Sequence, residues 1–161
     1  MKSLSTFVNE ELIKVTKKYD INISVDTLEN SGMFCGGYPY SIDGVGYNTR
    51  SEFISALQSA KELQMEGVKE VEINFLIRID DPILQKASTQ QNNIYRLTVL
   101  NVYHGNGRLK RTEVYIRDFG DTVDSEVKAK IVKSVKQQYE SITGLKTKYT
   151  DKEWQTYKRD W

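Results

Sequence analysis

The chain has very little of the residues that most enzyme chemistry needs. Its 161 residues include one cysteine, one histidine and two prolines. A single cysteine cannot form an internal disulfide, which fits a reducing cytoplasm. One Cys and one His cannot supply the usual structural or catalytic zinc sets unless carboxylates complete them. No apolar run approaches the roughly 20 residues that span a bilayer. The opening MKSLSTFVNEELIKV does not read as a signal peptide, because Glu10 and Glu11 interrupt its spaced apolar residues. Charge of one sign is also lacking. The net charge is +1, so the strongly basic footprint of a dedicated nucleic-acid binder is missing. The imbalance is local: residues 1–107 carry 10 basic and 13 acidic side chains, residues 108–161 carry 13 and 9.

What is present suits one soluble domain of 161 residues, 39% hydrophobic and 28% charged. Residues 4–19 have helical spacing of Leu4, Phe7, Val8, Leu12, Val15 and Tyr19. INISV (21–25) alternates as a short strand. TRSE (49–52) is a capping box that opens a second helix, with Phe53, Ala56, Leu57, Ala60 and Leu63 as its apolar stripe and Gly67 as its stop. VKEVEINFLIRI (68–79) alternates cleanly, with Val71, Ile73, Phe75, Ile77 and Ile79 on one side. Asp80-Asp81-Pro82 ends it, and a helical turn over 82–89 can follow. Residues 93–103 and 108–119 flank HGNG (104–107), whose Gly105, Asn106 and Gly107 suit positive φ in a hairpin. Residues 121–143 form a long helix ending at Gly144, and TDKE (150–153) caps a short terminal helix. The order predicts a single α+β domain over 1–161: a mainly antiparallel sheet of about four strands with helices packed on one face.

Four constellations could carry function. The first is MFCGGYPYSIDGVGYNT (33–49), with Cys35 as a potential nucleophile. Its base would have to be His104, with Asp43 or Asp118 to orient it, and Gly36 and Gly37 offer oxyanion amides. No spacing ties these together, and a small buried thiol is the commoner role of a lone cysteine. The same stretch carries Tyr38, Tyr40 and Tyr47, amphipathic rings suited equally to a core or to a partner-binding surface. Its glycines match no phosphate-binding fingerprint, and no cofactor is expected. The second is Asp80-Asp81, a carboxylate pair that could hold magnesium but more often caps a turn. The third is basic: Arg108, Lys110, Arg111 and Arg117 on one strand, Arg96 nearby, and Lys128, Lys130, Lys133 and Lys136 on the long helix, with Tyr103 and Tyr115 interleaved. That set could track phosphates, although acidic neighbours make a solvated face the plainer reading. The fourth is the C-terminal EWQTYKRDW, where Trp154, Tyr157 and Trp161 fall on one helical side, either docked on the core or offered as a partner anchor.

The start MKSLSTFVNE, with Met1-Lys2, then Phe7-Val8 and Glu10, resembles the capsid-targeting peptides of T-even phage internal head proteins. That resemblance implies cleavage after Glu10 and packaging in the virion. The size and the cysteine-poor α+β character are also similar to phage early proteins that disable host machinery, among them the phage inhibitor of the host Lon protease. This implies a non-enzymatic module that binds and inhibits or modulates a host protein complex, such as an ATP-dependent protease, in the host cytoplasm. Self-association of such a small aromatic-bearing chain is a further expectation.

Overall fold

A computed structural model of the chain describes residues 22–31, 37–80, 94–117, 125–149 and 155–156. Seven strands and two α-helices are present among them. The centre is β4 (Glu70–Asp80). Val71, Ile73, Phe75, Ile77 and Ile79 are all buried, as the alternation of this segment demands. β5 (Ile94–Tyr103) pairs antiparallel with β4, and β6 (Leu109–Arg117) antiparallel with β5. At the hairpin the amide of Gly107 donates to the His104 carbonyl at 2.9 Å, and the His104 amide to the Arg108 carbonyl at 2.9 Å. Of the three turn residues expected at positive φ, only Gly107 has it, at 85°. Asn106 acts through its side chain instead, accepting the Arg108 amide at 3.0 Å.

The other edge of β4 is shared. β1 (Asn22–Thr27) pairs antiparallel with its second half, from Asn22 opposite Asp80 to Thr27 opposite Phe75. β2 (Tyr40–Ile42) pairs antiparallel with its first half, from Tyr40 opposite Ile73 to Ile42 opposite Val71. β3 (Val45–Tyr47) then pairs with β2 at the sheet edge. The α+β architecture and the mainly antiparallel sheet match the sequence expectation. The sheet is wider than about four strands because the glycine-rich stretch itself contributes β2 and β3. Asp43 (φ 50°) and Gly44 (φ 80°) join these strands in a two-residue turn of the type that favours Asp-Gly.

Both helices lie on one face. α1 (Arg50–Glu62) packs Phe53 and Leu57 over β2 and β3. α2 (Ser125–Thr143) lays Val127, Ile131, Val135, Tyr139 and Ile142 against β1 and β5. The Tyr139 hydroxyl reaches the Val71 carbonyl at 2.9 Å, so its deep burial leaves no polar atom orphaned. The capping box opens α1 as expected, with the Glu52 amide donating to Thr49 Oγ1 at 3.3 Å. The far end differs. Leu63 is 66% exposed and lies outside the apolar stripe, and the helix stops at Glu62, well before Gly67. Gln64 and Met65 adopt positive φ, which swings Met65 and Val68 into the core instead. Gly144 closes α2 at φ 67°. Beyond it, residues 144–149 are bound under the sheet: Asn101 Nδ2 donates to the Lys146 carbonyl at 3.0 Å, and the Lys148 amide to Thr112 Oγ1 at 2.7 Å.

The C-terminal expectation changes. Gln155–Thr156 form β7, parallel to β6, so the segment is extended there, where a terminal helix was expected. The parallel backbone ladder outweighs the local capping signal of Thr150-Asp151-Lys152-Glu153. The helix expected at 4–19, the turn at 82–89 and residues 121–124 lie outside the described residues, as do Trp154, Tyr157 and Trp161.

Candidate functional site

β1 and β2 behave as one strand with a break. Thr27 stands opposite Phe75 and Tyr40 opposite Ile73, so only Asn74 of β4 separates them. On the other side, the β1 ladder stops at Thr27 and the β2 ladder starts at Tyr40, and the excursion between them is described at residues 28–31 and 37–39. It begins with a 3₁₀ turn, Leu28–Ser31. Residues 32–36, and with them Cys35, lie outside the described residues.

Asn74 closes the gap. Its backbone amide donates to the Pro39 carbonyl at 2.8 Å, so the interrupted ladder does not leave this donor unpaired. Its side-chain Nδ2 donates to the Tyr38 carbonyl at 2.8 Å, and its Oδ1 accepts the Thr98 hydroxyl at 2.6 Å. The entrance is held by Glu29. One carboxylate oxygen accepts the Tyr40 hydroxyl at 2.7 Å and the Arg50 amide at 3.0 Å. Glu29 therefore adds a second cap to α1, on a donor that Thr49 does not use, and its charge suits the helix N-terminus.

The three tyrosines of this stretch separate. Tyr40 is fully buried, stacked on Phe53 with ring centroids 4.9 Å apart. It is a core residue and leaves the partner-binding set. Burial, then the neighbouring Glu29 carboxylate, pushes its hydroxyl up to about 12. Tyr47 is half-buried, its ring tilted against the same Phe53 at 6.3 Å. Tyr38 is 53% exposed. Its ring lies across Gly46 of β3: a Cβ on Gly46 would fall 2.2 Å from the ring carbons. An aromatic ring with its carbonyl held by Asn74 and one face against a glycine is pre-positioned, with the rest in solvent.

The other candidates do not converge among the described residues. His104 is exposed in the β5–β6 turn. Tyr103 beside it pairs with Lys69, five positions along β4 from Asn74, roughly 16 Å at strand rise. Asp43, a possible orienting acid, is committed: one oxygen accepts the Lys69 and Glu70 amides at 2.7 Å each. Asp118 and Asp81 lie outside the described residues. No group of three or more His, Cys, Asp or Glu side chains that could hold a metal occurs among the described residues. The basic set divides. Arg111 lies on the sheet face away from the helices and bonds Glu113 at 2.7 Å. Lys133 is on the outward side of α2, in the opposite layer, and Arg108 and Lys110 sit exposed by the hairpin turn. The Glu113 carboxyl is pushed up by partial burial, but the Tyr115 hydroxyl and the Arg111 guanidinium outweigh that and hold it below its usual value.

Asn74, Thr98, Glu29 and Gly46 are the site residues that the sequence reading missed. The Asp43-Gly44 dipeptide between Ile42 and Val45 is a hairpin signal that would have placed Gly46 on an edge strand. Nothing local marks Asn74. No helix of the described residues is long and apolar enough to cross a membrane. Comparison with protein-family models, with curated proteins and with solved structures finds no match.

Proposed function

We propose that the chain is a non-enzymatic protein-binding module that inhibits or modulates a host protein complex, and that the excursion carrying Tyr38 is its contact site. The observation that supports this is the exposed Tyr38 ring, held by Gly46 beneath it and by Asn74 at its carbonyl. Rigid aromatic anchors contribute binding energy with little ordering cost. The resemblance to phage early proteins makes an ATP-dependent protease such as Lon the first partner to try. A partner inhibited in this way must bind differently in its active and inactive states.

The test compares wild type, Tyr38→Ala and Gly46→Ala. Substrate degradation by purified Lon is measured with each, alongside capture from bacterial lysate. Wild type is expected to slow degradation or to capture a defined complex. Tyr38→Ala is expected to lose at least about tenfold in affinity, the scale of an interface hot spot. Gly46→Ala keeps the tyrosine but displaces its ring, and should weaken binding in the same direction. A folded Tyr38→Ala chain that binds its partner as wild type does removes the excursion as the contact site.

A further inference from the structure

Among the described residues the sheet ends on β1 and β3 at one side of β4, and on β6 with its short partner β7 at the other. Open strand edges are templates for another strand, and proteins guard them. The chain guards two of these edges itself. Gln138 Nε2 of α2 donates to the Val25 carbonyl of β1 at 2.9 Å. The Thr112 amide of β6 donates to the Lys148 carbonyl at 3.1 Å, and β7 pairs further along. No described element covers β3 in this way, and Val45, Gly46 and Tyr47 bring neither charge nor proline to it. The ladders show which of its backbone groups are free. The Glu70 carbonyl and the Asn74 amide of β4 both point to the β2 side. Bonding alternates along an antiparallel strand, so Glu72 bonds Ser41 across that edge. Tyr40 and Ile42 then bond Tyr47 and Val45. The amide and carbonyl of Gly46 are left pointing out of the sheet. Apolar surface flanks them on both faces. The Tyr38 ring lies across Gly46 on the face away from the helices, and Val45 stands on the helix face. Only Tyr38, Val45 and Leu63 are large exposed hydrophobics among the described residues, and two of these three flank this edge.

We propose that the partner contacts this edge with an extended segment, which adds to the sheet as a further strand beside β3. The proposal rests on the protein-binding reading above and names the form of the partner's contact. The segment's backbone accepts from the Gly46 amide and donates to the Gly46 carbonyl, the mode of strand addition. Its side chains alternate. The one opposite Gly46 falls beside the Tyr38 ring, and its neighbours fall beside Val45 and Tyr47. The chemistry that fits is a short uncharged run rich in β-branched or aromatic residues. A second copy of the chain fits less well. Three residues at about 3.3 Å and a sheet depth of about 10 Å give roughly 100 Å² per copy. The pair would fall far below the roughly 1,000 Å² expected of a specific interface. A twofold pairing centred on Gly46 also sets glycine against glycine, and brings no side chain of the added strand to the Tyr38 ring.

Amide exchange of the isotope-labelled full chain, read residue by residue by NMR, is the test. The probe is a short neutral peptide of alternating valine and threonine. Its control is the same peptide with every amide N-methylated. In the free chain the Gly46 amide should exchange fast, and those of Val45 and Tyr47, bonded to β2, slowly. Excess probe should slow Gly46 exchange about tenfold or more, and the methylated control should not. Val45→Lys places a guarding charge at an exposed position and should weaken probe binding about tenfold, with circular dichroism confirming the fold. Gly46 exchange unchanged by excess probe overturns the proposal. So does a methylated control that binds equally well, or a folded Val45→Lys chain that binds the probe as wild type does. Protection of Gly46 that rises with chain concentration and needs no peptide assigns the edge to a second copy, and overturns it too. The two readings fail separately. If Tyr38→Ala loses its partner while the probe leaves Gly46 unprotected, the contact site stands and strand addition falls. If Tyr38→Ala keeps its partner while the probe protects Gly46, strand addition stands and the tyrosine falls.

Discussion

Asn74 occupies the one β4 position between the β1 and β2 ladders, and its side chain makes up for the gap. Asn74→Ala would leave the Tyr38 carbonyl and the Thr98 hydroxyl without their partner. The expected cost is about 1–2 kcal/mol, read as a lower urea midpoint at unchanged slope, with faster amide exchange at residues 37–38. Asn74→Asp should cost more, because it loses the donor to Tyr38 and sets a second carboxylate beside Glu72, now 3.5 Å from the Asn74 amide. A different residue-scale effect governs high pH. Burial raises the hydroxyls of Tyr40, to about 12, and of Tyr103 and Tyr139. An unfolded tyrosine releases its proton near pH 10, before the folded one does. The unfolded state then binds fewer protons, so stability is fully present below pH 10 and falls as pH rises. Urea midpoints measured from pH 8 upward should be flat to about 10 and then decline. Tyr40→Phe should be less stable at neutral pH and decline less steeply between 10 and about 12.

At the scale of elements, two short devices decide where α1 and the edge hairpin sit. The Asp43 carboxylate receives two backbone amides at 2.7 Å and so ties the β2–β3 turn to the start of β4. Charge-assisted bonds of this kind are the strong ones. Asp43→Ala is expected to lose about 1.5–3 kcal/mol, and Asp43→Asn less, because it keeps one acceptor; denaturant unfolding of the two variants checks the order. Thr49→Ala should cost about 1 kcal/mol, visible as a lower melting temperature. Glu29 continues to receive the Arg50 amide in that variant, so α1 should not unwind as a unit. Circular dichroism would show helix content preserved below the transition.

For the whole molecule, β4 is the element on which the pairings of β1, β2 and β5 converge. It pairs with residues before it in β1 and β2 and after it in β5. Most of its partners on the first edge lie tens of residues away, as with Asn22 opposite Asp80. Loop closure must precede these contacts, so folding should fall in the millisecond-to-second range typical of non-local β topologies. Stopped-flow fluorescence measures this directly. Microsecond folding would indicate that the sheet assembles from its local hairpins without waiting for β1.

Much of this architecture is legible in the chain because it rests on local physics. The alternation from Val71 to Ile79 can bury only one side of an extended segment, whatever the rest of the protein does. Thr49 and Gly144 mark helix ends because unpaired amides and a left-handed backbone residue need those side chains nearby. The tyrosines show where local reasoning stops. Tyr38 and Tyr40 are two residues apart and would share a face in an unbroken strand, yet one is buried on Phe53 and the other lies in solvent across Gly46. The period-two rule ends where the strand does, at Pro39, and that boundary exists because β1 already occupies the second half of the β4 edge. The basic residues separate for the same reason. Lys133 and Arg111 belong to opposite layers once α2 docks beneath the sheet, a placement that no spacing along the chain encodes. Periodicity and capping settled which segments are strands and helices. Non-local pairing to the two edges of β4 settled which tyrosine faces outward and which charges share a surface.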